Sequence, residues 1–72
     1  MTSLAVIEGE LIMQRLYLLR AARAEEAVEV GSPAYMELAE IIDDLLERIQ
    51  QLVLCRLAVL RARGMNERHT LQ

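Results

Sequence analysis

The sequence has no phenylalanine, no tryptophan and no lysine, and among its 72 residues there are one cysteine, one proline, three glycines and two tyrosines. Each scarcity excludes something. A lone thiol, Cys55, cannot form an internal disulfide, so nothing covalent staples the fold, and it agrees with a reducing compartment. Without Phe and Trp, a core drawn from the 54% of hydrophobic residues must be aliphatic. Leu, Ile, Val, Ala and Met suit close helix packing better than a β-core, which wants aromatic and β-branched side chains. Eight arginines stand against eleven carboxylates, a net charge of −3 and the wrong sign for a nonspecific polyanion binder. Residues 1–15 lack the basic start of a signal peptide, and Glu8, Glu10 and Arg15 interrupt any membrane-spanning run. The expectation is a cytoplasmic protein without a membrane partner or a cofactor.

What is present is helix. From Met36 to Arg63 no glycine or proline intervenes, and Leu38, Ile42, Leu45, Ile49, Leu52, Arg56 and Val59 recur in alternating steps of four and three. That spacing keeps one seam of a helix facing a partner. The upstream residues read as the partner, a helix from Ser3 to about Val28, N-capped by Thr2 or Ser3 and weakened by Gly9. Between them Gly31-Ser32-Pro33 supplies a residue that tolerates a left-handed conformation, an N-cap and a first-turn proline. The predicted fold is all-α: an antiparallel two-helix hairpin over 1–63, with helix 1 about 3–28, a turn at 29–32 and helix 2 about 33–63. Gly64 is placed to end helix 2, leaving 64–72 as a flexible tail. Facing positions whose numbers sum to about 63 bring Arg23 near Glu40, Arg20 near Asp43, Arg15 near Glu47 and Glu8 near Arg56. Glu25 near Glu37 is a like-charge exception.

On a helical wheel, helix 1 shows two apolar strips, one of Ile12, Met13, Leu16, Tyr17 and Leu19, the other of Leu4, Ile7, Leu11 and Leu18. One covers helix 2 and the other is left over. Helix 2 adds Leu46, Val53, Leu57 and Leu60 beside its main seam. Exposed strips of this size mark interaction surfaces, and a homodimer that makes a coiled-coil-like four-helix bundle is the simplest use of them. The expected interface, for a partner or a second copy, is Leu4, Ile7, Leu11, Leu18, Leu46, Val53, Leu57 and Leu60.

Several polar features carry alternative chemistry. Glu25, Glu26 and Glu29 spell EExxE, and Glu40 with Asp43 spells ExxD; carboxylates three or four apart on a helix share a face, as Mg²⁺ or Mn²⁺ ligands do. In these fragments the chain resembles the all-α nucleotide pyrophosphohydrolases of the MazG and phosphoribosyl-ATP pyrophosphohydrolase type. The resemblance implies metal-ligand roles for Glu25, Glu26, Glu29, Glu40 and Asp43. The plainer alternative is a solvated acidic face, and both readings leave Glu37, Glu40, Asp44 and Glu47 exposed. Arg56, at a seam position, calls for a carboxylate from Glu8 or Glu10 and can specify register. It also heads a possible arginine patch with Arg61, Arg63 and Arg68, in an architecture analogous to the RNA-binding Rop-type dimeric hairpins, although the net charge speaks against nucleic acid. Cys55 and His69 have no neighbours at metal or nucleophile spacing, and Tyr17 and Tyr35 fit bundle packing. No phosphate loop, nucleophile elbow or HExxH is present. The expected function is therefore non-enzymatic: a protein-interaction module acting as a regulator, inhibitor or adaptor.

Overall fold

A computed structural model describes residues 3–71, with side-chain surroundings through residue 64. Two helices, α1 (Leu4–Glu26) and α2 (Pro33–Leu71), pack side by side as an antiparallel hairpin about 60 Å long, and no strand occurs among the described residues.

The helix ends follow from local chemistry. Ser3 is extended and its Oγ accepts the Val6 N–H at 3.2 Å, satisfying one of the amides that the first turn leaves free; Thr2 lies outside the described residues. At the other end of α1, the Ala27 and Val28 N–H groups donate to Ala24 and Glu25 carbonyls at 3.1 and 3.3 Å. This tightening closes the helix at Glu26, two residues before the expected Val28. Gly31 takes φ +84°, a conformation that costs an L side chain roughly 1–2 kcal/mol. Ser32 then caps α2, its Oγ accepting the Tyr35 N–H at 3.2 Å, and Pro33 occupies the first helical position without losing a hydrogen bond.

The far end of α2 corrects the expectation of a stop at Gly64. The helix runs through it to Leu71. Glycine is only about 1 kcal/mol worse than alanine inside a helix. What ends a helix is the left-handed turn, which Gly31 adopts and Gly64 does not. Consequently α2 passes well beyond the start of α1.

The seam between the helices is regular. On α1, positions 4, 7, 11, 14, 18, 21 and 25 are all buried or half-buried, as is Val28 just beyond its end; on α2 the same holds for 35, 38, 42, 45, 49, 52 and 59. Both sets alternate steps of three and four, save that on α2 the exposed Arg56 takes the step between 52 and 59; this period lets two helices stay in contact along their length. Among the described residues only Ile7, Leu11 and Ala21 are fully buried. Two ion pairs cross the hairpin: Arg56 Nε donates to Glu8 Oε1 at 3.3 Å, and Arg48 lies 3.8 Å from Glu10. Both are about half-exposed, so each contributes no more than about 1 kcal/mol. The other three charge pairs expected from the register do not form within 4 Å, because Arg20, Arg23, Glu40 and Glu47 point outward where water screens them.

Gly31→Ala forces a side chain into the left-handed conformation and is expected to lower stability by about 1 kcal/mol. Gly9→Ala meets nothing within 4 Å and is expected to raise it by a similar amount. Urea unfolding followed by circular dichroism at one protein concentration checks both, and a reversed order would contradict these helix boundaries.

Candidate functional site

The seam uses one of the two α1 strips and frees the other, opposite to the sequence expectation. Ile7 and Leu11 are 1% and 5% exposed, Leu4 and Leu18 are half-buried, and all four line the contact with α2. They are therefore the hairpin's own core and not a spare strip. Ile12, Met13, Leu16, Tyr17 and Leu19 are the exposed set, Ile12 at 59%. The physical reason is continuity. The Leu4 strip continues at strict three-and-four steps through Gln14, Ala21, Glu25 and Val28, matching the α2 seam in length. Polar Gln14 and Glu25 hide it in a search for hydrophobic residues alone.

On α2, Leu46, Val53, Leu57 and Leu60 are exposed as expected. Their relation to α1 is set by a groove of about 330 Å³ lined by Glu8, Leu11, Ile12, Arg15, Val53 and Arg56. Ile12 and Val53 thus lie on the same side of the hairpin. One and two turns from Ile12, Leu16 and Leu19 extend that side; one and two turns from Val53, so do Leu57, Leu46 and Leu60. Aliphatic residues of both helices thus share one side of the hairpin, around a charged centre of Glu8, Arg15 and Arg56.

The opposite side is mixed. A second groove, about 540 Å³, is lined by Ile7, Glu10, Leu52, Cys55, Ala58 and Val59, and Glu10 of this lining pairs with Arg48. Cys55 is a free, exposed thiol there. Tyr17 is exposed, and Tyr35 is half-buried beside the turn.

The acidic motifs are taken apart by the turn. α1 ends at Glu26, so Glu29 lies in the loop and no longer shares a helical face with Glu25 and Glu26. Glu25 sits at the edge of the seam, while Glu26, Glu29, Glu37, Glu40, Asp43, Asp44 and Glu47 are exposed. Among the described residues no three His, Cys, Asp or Glu side chains come together as a metal site. Arg56 meets Glu8, as its seam position required, and stays solvated. Arg61 and Arg63 are exposed on α2; Arg68 and His69 lie outside the residues whose side chains are described. Among the described residues no helix is long and apolar enough to cross a membrane.

Fold and surface thus define a helical hairpin in which aliphatic residues of both helices are exposed on a shared side. The chain matches no protein-family model, no curated protein and no solved structure.

The division into seam and free face has a measurable consequence. Leu11→Ala is expected to cost about 2–4 kcal/mol of stability, the range for a buried leucine, whereas Leu54→Ala, on an exposed outer position, changes it by less than about 0.5 kcal/mol. Equal losses in chemical unfolding would show the seam to be misassigned.

Proposed function

We propose that this chain is a non-enzymatic protein-interaction module, a regulator, inhibitor or adaptor that acts by docking the aliphatic face of Ile12, Leu16, Leu19, Leu46, Val53 and Leu57 on another protein surface. One observation carries the reading: the imbalance between what the hairpin buries and what it leaves wet. Its accessible surface is 6045 Å² for an 8.2 kDa chain, whereas a compact protein of that mass exposes about 4,500 Å². Single exposed leucines are ordinary, but six aliphatic side chains on one side of so small a chain favour a docking surface.

The chemistry of the face suits a helical partner. Rows of Leu, Ile and Val at three-and-four spacing accept the side chains of another helix between them. Glu8, Arg15 and Arg56 at its centre set orientation more than affinity, because they remain solvated until the partner arrives.

A photo-reactive amino acid in place of Leu16, in the cell that makes the protein, is expected to yield a covalent adduct with a protein upon illumination. The same amino acid at Asp44, away from the face, is expected to yield none. If Leu16 gives no adduct under conditions where the hairpin is helical, the interaction-module reading is wrong.

A further inference from the structure

We infer that the partner on this face is a second copy of the chain, packed antiparallel so that the turn of each hairpin lies towards the open end of the other. The inference rests on the interaction-module reading and adds to it the partner's identity and direction.

The first support is a second register of positions beside the seam. On α1 it runs through 5, 8, 12, 15 and 19, on α2 through 46, 50, 53, 57 and 60, each one residue on from a seam position. Two seams offset by one residue lie about 100° apart on a helix, which is what a helix needs to touch two neighbours at about right angles, as in a four-helix bundle.

The second support is symmetry. About Ile12 the α1 register is symmetric to within one residue: Ala5 and Leu19 stand seven residues to either side, and Glu8 and Arg15 stand four and three. About Val53 the α2 register is symmetric to the same degree, with Leu46 and Leu60 seven residues to either side and Gln50 and Leu57 three and four. Ile12 and Val53 line one groove, so a single two-fold axis across the face passes close to both. That axis lays α1 on the partner's α1 and α2 on the partner's α2, each pair antiparallel. Ile12 and Val53 then meet their own copies, Ala5 meets the partner's Leu19 and Leu46 the partner's Leu60; Gln50 lies beside the partner's Leu57, and Glu8 comes within one residue of level with the partner's Arg15. Within one chain Arg15 makes no ion pair among the described residues and lies two turns from Glu8, about 10 Å away.

The third support is charge, and it chooses between the two ways of stacking the faces. From Tyr17 to Glu47 the chain carries two arginines against eight carboxylates; its remaining residues up to Gly64 carry five arginines against two carboxylates. Stacked with both turns at the same end, Ile12 would meet the partner's Val53 and the apolar match would survive. The two acidic ends would then lie together, and the two basic ends likewise. Antiparallel stacking sets each acidic end on a basic end, with Asp43 beside the partner's Arg63. Over its whole length the hairpin exposes about 1,500 Å² more than a compact monomer of its mass, and a stable interface takes about 800 Å² per partner.

The test uses the intact chain and single-cysteine variants in a Cys55→Ser background. The unaltered chain is expected to show twice its 8.2 kDa mass by light scattering. Ile12→Cys alone and Val53→Cys alone, treated with a short bis-maleimide, are each expected to link to a like copy, because each residue sits at the two-fold axis. If neither links alone but their mixture does, the hairpins stack with both turns at one end and the inferred direction is overturned. Spin labels at Met36→Cys, an exposed position off the face, give an independent reading should the face variants disturb folding. A separation of about 50 Å is expected for antiparallel hairpins, at 1.5 Å per residue on either side of Val53. A separation of about 25 Å would again overturn the direction. A monomeric mass at high micromolar concentration overturns the second copy altogether; an adduct at Leu16 with a different protein would then leave the interaction-module reading standing, and no adduct would remove both.

Discussion

Two helices that touch along one line can exclude water only from the side chains on that line, and every other feature of the hairpin follows from that limit. Ile7, Leu11 and Ala21 are buried, and the rest of the seam keeps one flank wet. A fully buried leucine or isoleucine contributes about 1.5–3 kcal/mol, while ordering each residue's backbone costs about 1–2 kcal/mol. Among the described residues, two such side chains and an alanine make a thin core. Small domains often gain further burial from association, and the aliphatic face is where we propose that it occurs.

Within that limit the polar residues specify arrangement more than they stabilise it. Arg56 interrupts the α2 seam and finds Glu8 across the hairpin at 3.3 Å. Gln14 holds a seam position on α1 in the layer of Ile49. Sliding one helix past the other by a turn would separate Glu8 from Arg56 and move Gln14 onto a different layer, so both disfavour wrong registers while adding little to the correct one. The turn acts in the same sense. Gly31, Ser32 and Pro33 fix where α1 must stop and α2 begin, which sets facing positions before any seam residue meets its partner.

Much of this was legible in the residues themselves. The helical class, the turn at Gly31-Ser32-Pro33, the α2 seam from Leu38 to Val59 and the Glu8–Arg56 contact all follow from local propensity, capping and period. Three things were not. The end of α2 was misjudged because a glycine permits a helix stop without enforcing one. The EExxE spacing implied a shared face, but the helix closes before Glu29. The free and seam strips of α1 were exchanged, since Leu4, Ile7, Leu11 and Leu18 and the Ile12, Leu16, Leu19 strip are similarly hydrophobic, and hydrophobicity alone ranks strips by content.

The sequence by itself therefore determined the elements and their order, because backbone hydrogen bonding, capping and periodicity act over a few residues and leave their signature there. Only the tertiary structure decided which strip of α1 turns inward and that Ile12 and Val53 lie on one side of the molecule. Those facts depend on the relative rotation of two helices about their axes. That rotation is set by how long a contact line each strip can sustain against α2, and no single helix carries that information.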